Sequence, residues 1–322
     1  MKPLKKIDKI IKKHKKIIMM THSHPDLDGF SAILFFNDIL QNMKKECYVL
    51  MNNNNLDISI TKTLKLINDN NKLNFINEED YNNLIDNETL VIIFDVHKKN
   101  LLDFPNIINK TKKIIIIDHH IISKDIINET IFNFINTNYS SVSEIIVDYA
   151  ICNNYKINSI IATTLLAGIE IDTNNYNLNT KEGTFKACAH LLKSGADIIL
   201  KQEILKENKD LYIKKQYFIK RSYMINNEMA LCVLDHHIYD SKFLAILSDE
   251  LLQFENVEVS FTIGYIGRKK VGISARSIGK FDVEKIMNQF NGGGHATNAA
   301  CQIENSSIEK VKRMLLKNIK ER

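Results

Sequence analysis

The sequence lacks paired cysteines, long apolar runs and a strong excess of either charge. Its five cysteines are scattered without a CxxC pair, and this pattern gives no disulfide framework, which favours a reducing compartment. No apolar run reaches the roughly 18 residues that a membrane-spanning helix needs. The N-terminus is rich in lysine and has no continuous apolar core of a signal peptide. We therefore expect a cytoplasmic protein without a membrane span.

The charge and size of the chain narrow the class of protein further. A net charge of +5 is modest for 322 residues; it allows an anionic ligand but does not indicate a surface for long nucleic acid. The hydrophobic fraction of 44% is sufficient for folded cores. Because the length exceeds that of one typical domain, we expect two domains.

Several short apolar runs end in histidine or aspartate. They are Ile114–Ile117 before Asp118-His119-His120, Lys16–Met20 before the loop that ends at Asp28, and Leu90–Phe94 before Asp95. Continuous apolar runs predict strands buried on both faces of a parallel sheet, and binding crevices lie outside the carboxyl ends of such strands. Carboxylic acids and imidazoles pack poorly at the end of a buried strand, but they are good ligands for metals and phosphates.

If these strands are neighbours, their polar ends converge at one edge of an α/β sheet. A further carboxylate, Asp172, follows an apolar run predicted to be helical over residues 159–171. The candidate metal ligands are His22, Asp26, Asp28, Asp95, His119 and Asp172. Carboxylates combined with imidazoles suit manganese, magnesium or iron better than ions that prefer thiolates. Chance is a poor explanation for the whole set.

Other histidines are interpreted as structural. A second DHH triplet, Asp235–His237, follows a less uniformly apolar strand and has no acid cluster upstream in its half of the chain, so we expect it to be a coincidence. The isolated residues His14, His97 and His190 are expected to lie at the surface or to be satisfied by internal hydrogen bonds.

Two loops suggest contacts with anions. Asn138–Ser143 precedes a predicted helix, and either a serine caps this helix or its N-terminus faces a phosphate. Near the C-terminus, Gly292–Gly294 is followed by His295, and Arg276 lies on a predicted neighbouring strand. Glycine amides and a guanidinium are both suited to binding phosphate.

The order of these motifs resembles that of the DHH phosphoesterase superfamily with its DHH-associated C-terminal domain. The shared order is His-x-x-Pro-Asp-x-Asp, a strand-end Asp, DHH, a later Asp and Gly-Gly-Gly-His. The segments VIIFDVHKKN, NYSSVSEIIVDY and GGGHATNAACQ are similar in finer detail to the catalytic portion of GdpP-type cyclic di-AMP phosphodiesterases. Those proteins also carry N-terminal membrane helices and sensor domains. Because the similarity here starts at about residue 17, membrane attachment and sensing are not carried over.

The resemblance implies a two-domain architecture. An N-terminal parallel-sheet DHH domain would span residues 1–200, a helical connector residues 201–226, and a smaller C-terminal α/β domain residues 227–322. The active site would lie in the cleft between the two domains.

The resemblance also implies roles for individual residues. One metal ion would be held by His22, Asp26 and Asp95, and a second by Asp28, Asp95, His119 and Asp172; such enzymes typically prefer manganese. The catalytic residues would be Asp95, His119 and His120. Substrate contacts would come from His120, Ser274, Arg276, Gly293, Gly294, His295 and Asn298.

The expected activity is hydrolysis of cyclic di-AMP to linear pApA, with possible further cleavage to AMP, by in-line attack of a hydroxide that bridges two metal ions. The expected partners are cyclic di-AMP or linear diadenylate, without long nucleic acid, and a homodimer is allowed. An alternative on the same scaffold is a nanoRNase or 3′-phosphoadenosine 5′-phosphate phosphatase. A non-catalytic nucleotide receptor is disfavoured because no metal ligand is missing. An exonuclease like the larger RecJ proteins would need a broad basic groove or an added domain.

Overall fold

The computed structural model describes residues 2–52, 56–67, 72–122, 125–294 and 296–320. The chain folds into two compact units, Met1–Lys206 and the smaller Glu207–Arg322. Each unit combines one six-stranded sheet with helices. The predicted two-domain α/β architecture is therefore confirmed.

The first unit contains a parallel sheet with the strand order β3-β2-β1-β4-β5-β6, in which every neighbouring pair is parallel. The strands are β1 (Lys16–Met20), β2 (Glu46–Leu50), β3 (Phe75–Ile76), β4 (Leu90–Phe94), β5 (Ile114–Asp118) and β6 (Phe132–Ile135). The strand order changes direction between β1 and β4. In open α/β sheets, the binding crevice lies at the carboxyl ends of the strands beside such a point.

Helices on both sides of this sheet explain why its central strands are apolar throughout. They are α1 (Lys2–Lys13), α2 (Leu27–Asn42), α3 (Ile58–Leu66), α4 (Glu78–Leu84), α5 (Val142–Asn153), α6 (Ser159–Asp172), α7 (Glu182–Lys193) and α8 (Ile198–Leu205). On β5, Ile115 and Ile117 pack into the core that contains α1, α2, α5 and α6. Ile114 and Ile116 point to the opposite face and pack into a second core with Tyr81 of α4. Both faces are buried, as the uninterrupted isoleucines predict.

The close approach of α2 and α6 depends on a glycine. A Cβ atom on Gly168 would lie 2.5 Å from Ser143 Oγ and 3.0 Å from Asp28 Cα. Without a side chain at this position, α6 can pack directly against the start of α2. This contact positions the end of α6, where Asp172 lies, beside the carboxyl edge of the sheet.

The second unit contains a mixed sheet with the order β11-β12-β10-β9-β8-β7, in which only the β8–β9 pair is parallel. The strands are β7 (Tyr223–Met224), β8 (Met229–Ile238), β9 (Val259–Gly267), β10 (Lys270–Ser277), β11 (Gly293–Gly294) and β12 (Asn298–Glu304). Helices α9 (Lys209–Lys220) and α10 (Ser241–Leu251) share one core with the sheet. The other core contains α11 (Val283–Met287) and α12 (Ile308–Lys320). Strands β9 and β10 form an antiparallel hairpin.

The structure can be compared with the expectations for a membrane span and for the cysteines. Within the described ranges, no helix has the length and apolar character that crossing a bilayer requires. All five cysteines are buried and unpaired.

The predicted connector, residues 201–226, contains the end of α8, all of α9, and β7.

Candidate metal centre

The carboxyl ends of three neighbouring strands bring the predicted ligands together. His22 lies just after β1, Asp95 follows β4, and His119 follows β5. Because β1, β4 and β5 are adjacent and parallel, these side chains meet at one edge of the sheet. The remaining predicted ligands, Asp26, Asp28 and Asp172, lie at the start of α2 and the end of α6.

Asp95 is the central residue of the cluster. Its Oδ2 atom lies 3.4 Å from Nε2 of His22, and its Oδ1 atom lies 3.3 Å from Nε2 of His119. Its backbone has a φ of +62°, in the left-handed region that non-glycine residues rarely adopt. Such strain concentrates at functional sites, where the surrounding structure enforces it. The two carboxylate oxygens face different imidazoles, which is the arrangement expected of a bridging ligand.

The first group of candidate ligands consists of His22, Asp26 and Asp95, whose ligand atoms lie within 4.8 Å of one another. Nδ1 of His22 lies 2.8 Å from the Ser23 carbonyl oxygen. When Nδ1 donates its hydrogen bond to this carbonyl, Nε2 is the nitrogen that could bind a metal ion. Asp26 is the N-cap of α2: its Oδ1 accepts the N–H groups of residues 28 and 29, while Oδ2 lies 3.6 Å from His22.

The second group consists of Asp28, His119 and Asp172, also within 4.8 Å of one another. Nε2 of His119 lies 2.9 Å from Oδ2 of Asp172. The carboxylate of Asp28 is buried and accepts the backbone N–H groups of Val142 at 2.7 Å and Ser143 at 2.8 Å. The N-terminus of α5 thus binds a carboxylate of the protein.

The two interpretations of the loop before α5 can now be distinguished. Ser141 is the N-cap residue, and its hydroxyl accepts the N–H of Glu144 at 3.0 Å. The next two amides of the helix are occupied by Asp28. The capping interpretation is therefore confirmed, and the anion at this helix N-terminus is the carboxylate of Asp28.

Burial and mutual proximity shift the pKa values of these groups strongly. Burial alone would lower the pKa of His22, but Asp26 and Asp95 outweigh it and raise this pKa to about 11. In the same way, Asp172 and Asp95 raise the pKa of His119 to about 12. Burial raises the pKa of Asp172 to about 6 despite the attraction of His119. The pKa of Asp28 is also raised, first by burial and then by the charges of Asp172 and Asp95.

Burial and the neighbouring acids disfavour the charged forms of Asp28 and Asp172, so added positive charge would stabilise these two carboxylates. Oδ1 of Asp95 and Nε2 of His119 are buried and make no well-oriented hydrogen bond, although Nε2 lies 3.3 Å from this oxygen and 2.9 Å from Oδ2 of Asp172. Buried polar atoms normally form well-oriented hydrogen bonds, so two facing ligand atoms without them fit a site built for cations. Oxygen and imidazole donors without thiolate are the set that manganese and magnesium accept.

Asp118 is close to the same cluster, but it is engaged elsewhere. It forms a group with Asp95, His119 and His120 whose ligand atoms lie within 4.8 Å. Its Oδ1 accepts the N–H groups of residues 119 and 120 and faces Nδ1 of His120, while Oδ2 faces Nδ1 of His97. These contacts use both oxygens, so we do not count Asp118 as a metal ligand. Neither Asp118 nor His97 is among the site residues predicted from the sequence, because only the pairing of β4 with β5 brings them together.

The predicted anion-binding residues of the second unit lie near the end of the β10–β12 pair. Arg276 donates from Nε to Asp249 Oδ1 at 2.8 Å and from Nη1 to Ser274 Oγ at 3.2 Å. Asn298 lies opposite Arg276 in the register of β12 and β10. Burial raises the pKa of Asp249 even though Arg276 opposes the shift. The predicted contact residue His295 lies outside the described residues.

The glycines of the triplet also have a structural role in the second unit. A Cβ atom on Gly292 would lie 2.3 Å from the carbonyl oxygen of Ala300. One on Gly294, whose φ is +148°, would lie 2.3 Å from that of Asn298. Gly293 and Gly294 form β11 and pair with β12. Gly292 and Gly294 are therefore required for this close backbone pairing, whereas a Cβ atom on Gly293 would lie 3.9 Å from its nearest neighbour, Oδ1 of Asn288.

The second DHH triplet has a local structural role. Oδ1 of Asp235 lies 2.9 Å from Nδ1 of His237 and accepts the hydroxyl of Tyr239 at 2.6 Å. The side chains of His236 and His237 are 77% and 82% exposed. Among the described residues, each group of side chains that could hold a metal lies in the first unit. This agrees with the interpretation of the triplet as a coincidence.

Comparison with known proteins gives matches along most of the chain. The model of the "DHH family, N-terminal domain" matches residues 16–169, and that of the "DHHA1 domain" matches residues 226–322. The cyclic-di-AMP phosphodiesterase GdpP of Bacillus subtilis is 32% identical over 94% of this chain and 47% of its own length. The bifunctional oligoribonuclease and PAP phosphatase NrnA of Mycoplasma genitalium is 28% identical over 92% of this chain and 91% of its own length.

A solved structure gives independent support for the fold. An exopolyphosphatase-related protein from Bacteroides fragilis superposes with a TM-score of 0.81, and the match covers 99% of this chain and 97% of that chain. The sequence identity is 19%, so this likeness concerns the fold alone. This chain spans about half the length of the GdpP relative, 47%.

Proposed function

This chain belongs to the DHH family, with a DHH N-terminal domain followed by a DHHA1 domain, and from this premise we propose that it is a metal-dependent phosphodiesterase that hydrolyses cyclic di-AMP to linear pApA. The observation that carries the proposal is the position of Asp95 between two imidazoles: Nε2 of His22 lies 3.4 Å from its Oδ2, and Nε2 of His119 lies 3.3 Å from its Oδ1. A carboxylate placed in this way is suited to joining two cations.

Two metal ions are proposed. His22, Asp26 and Asp95, whose ligand atoms cluster, would hold one ion. Asp28, His119 and Asp172 form another cluster and would hold the second ion together with Asp95, whose Oδ1 faces His119. Two such cations would supply charge neutralisation for the phosphate and would lower the pKa of an attacking water. We propose manganese because the donor set combines carboxylates with imidazoles.

The side chains outside the metal ligands are proposed to bind and orient the substrate. The side chain of His120 is 48% exposed, whereas that of His119 is 10% exposed, which suits His120 for the substrate and His119 for the metal. Arg276 and Ser274 would bind a phosphate oxygen, and the salt bridge to Asp249 would hold the guanidinium in place. Further substrate contacts are proposed for Gly293, Gly294, His295 and Asn298.

Cyclic di-AMP is proposed as the substrate because the GdpP relative, named as a cyclic-di-AMP phosphodiesterase, is 32% identical over 94% of this chain. A second candidate is cleavage of short oligoribonucleotides or of 3′-phosphoadenosine 5′-phosphate. It is supported by the NrnA relative, since that match extends over 91% of the relative's own length. Both candidates use the same metal ligands, so they differ only in the contacts made to the substrate.

The experiment that tests the proposal compares substrates on one preparation. Purified protein with Mn²⁺ is given cyclic di-AMP, cyclic di-GMP, linear diadenylate and 3′-phosphoadenosine 5′-phosphate, and the products are resolved by chromatography. We expect the highest kcat/KM on cyclic di-AMP, with pApA as the first product. Faster cleavage of linear diadenylate would favour the second candidate, and absence of turnover on every phosphoester would exclude both.

The cellular setting is part of the same proposal. The five cysteine thiols are unpaired, which is usual for proteins of a reducing compartment. We therefore propose that the enzyme works in the cytoplasm, where a nucleotide second messenger would be its substrate.

A further inference from the structure

A series of hydrogen bonds leads from the buried end of the sheet to His120, the partly exposed histidine that is proposed to contact the substrate. Nδ1 of His97 lies 2.5 Å from Oδ2 of Asp118, and Nδ1 of His120 lies 2.8 Å from Oδ1 of the same carboxylate. The side chains of His97 and Asp118 are 1% and 0% exposed, while that of His120 is 48% exposed. The series of hydrogen bonds therefore begins at a buried imidazole and ends at an accessible one.

The positions of Asp118 and His97 are set by two neighbouring strands. Asp118 is the last residue of β5, and His97 lies three residues beyond the end of β4, the neighbouring strand. Oδ1 of Asp118 also accepts the backbone N–H groups of His119 and His120, at 2.7 and 3.1 Å. The carboxylate is held by donors on both oxygens, so it can rotate little.

We propose that Asp118 and His97 are positioning residues that fix the orientation and the tautomer of His120. A carboxylate is an acceptor only, so Nδ1 of His120 must carry the proton that points to Asp118. Nε2, on the far side of the ring, is then the atom presented to the substrate. A carboxylate that orients a histidine in this way is a recurring device in hydrolases. The inference rests on the proposed phosphodiesterase function, which supplies the role of His120.

His97 holds the second carboxylate oxygen of Asp118. It occupies Oδ2 of Asp118, a buried oxygen that would otherwise lack this donor. An unpaired buried carboxylate oxygen is costly, and near a cation-binding cluster it would gain by turning toward the cations. The hydrogen bond from His97 therefore keeps Asp118 directed at His120 and not at the metal centre.

The test is a double-mutant cycle between His97 and His120 in the Mn²⁺-loaded protein. His97→Leu removes the hydrogen bond, whereas His97→Gln retains an amide donor. We expect His97→Leu to lower kcat about 10- to 100-fold, as loss of such supporting partners does, with a smaller change in KM. His97→Gln should restore part of this loss. His190→Leu, on α7, is the matched histidine control and should leave kcat unchanged.

In a His120→Ala background, His97→Leu should cause no further loss of kcat, because its effect passes through His120. Elemental analysis should give the same manganese content in all variants. An additive loss in the double variant, or loss of manganese in His97→Leu, would show that His97 supports the fold or the metal ligands instead.

A second readout does not depend on turnover. Long-range ¹H–¹⁵N spectra of histidine-labelled protein, loaded with diamagnetic Mg²⁺ in alkaline buffer, report which ring nitrogen carries the proton. We expect the Nδ1–H tautomer for His120 in the wild type and a mixture of tautomers in His97→Leu. The Nε2–H tautomer in the wild type would overturn the inference even if the enzyme were active. The expected tautomers together with an inactive wild type would reject only the proposed function.

Discussion

The carboxylate of Asp28 accepts the backbone N–H of Val142 at 2.7 Å, although 114 positions separate the two residues in the sequence. This contact joins the start of α2 to the start of α5. The positive end of the α5 dipole favours the charged form of the carboxylate, whereas burial and the neighbouring acids raise its pKa. A bound metal ion would stabilise the charged form of the Asp28 carboxylate by adding positive charge beside it.

A prediction follows for Asp28→Asn. In the metal-free protein, the substitution removes repulsion from Asp95 and Asp172 but leaves a single acceptor oxygen for two backbone N–H groups. Because these effects oppose each other, we expect little change in the Tm of the metal-free protein. In the loaded protein we expect one fewer bound Mn²⁺ and a loss of kcat greater than about tenfold. Calorimetry and elemental analysis on one preparation would check both parts, and full manganese content would contradict the assignment.

The sequence was sufficient to predict the sheet and the convergence of the candidate ligands that follow its strands. Uninterrupted runs such as Ile114–Ile117 require burial on both faces, and parallel strands bring their carboxyl ends to one edge. Contacts between distant segments could not be predicted in the same way. The bond from His97 to Asp118 depends on the register of β4 and β5, and the need for Gly168 depends on the packing of α6 against α2.

In the second unit, the local motifs predict only part of what the structure contains. The spacing of Gly292–Gly294 suggested an anion site, but two of these glycines are required by close pairing with β12. The partner of Arg276, Asp249, lies on α10 and has no distinctive local pattern. Both facts follow from strand pairing and helix packing, which local sequence patterns do not specify.

A second prediction concerns Asp95 as the shared ligand. Asp95→Ala should abolish turnover and reduce the binding of both ions together, because its two oxygens face the two groups. Activity above about a tenth of the wild-type value would argue against a bridging role. The control is Asp235→Ala in the second DHH triplet, which should keep nearly full activity and manganese content provided that the variant is folded.

A third prediction concerns metal-dependent stability. Manganese is proposed to bind the folded protein, so at about 100 times its Kd each ion should add about 2.7 kcal/mol to the free energy of unfolding. For a unit of this size we expect a rise in Tm of roughly 5 to 10 °C per ion. Thermal unfolding with and without a chelator would measure this rise. An unchanged Tm with Mn²⁺ and with Mg²⁺ would show that the acidic cluster does not bind these cations under the conditions tested.

A fourth prediction separates substrate binding in the second unit from metal binding in the first. Arg276 is proposed to contact the substrate phosphate, and the loss of a charge-assisted hydrogen bond costs a few kcal/mol. At about 1.4 kcal/mol per factor of ten, Arg276→Ala should lower kcat/KM by roughly two to three orders of magnitude. Arg276→Lys should recover only part of the loss, because lysine lacks the planar pair of donors.

Asp249→Asn provides the matched variant for the same prediction. It leaves an oxygen that can accept from Arg276 Nε but removes the charge that orients the guanidinium, so we expect a smaller loss than in Arg276→Ala. Manganese content should be unchanged in all three variants, since every proposed ligand lies in the first unit. If Arg276→Ala lost an ion while remaining folded, the second unit would contribute to the metal centre and the proposed separation of roles would be wrong.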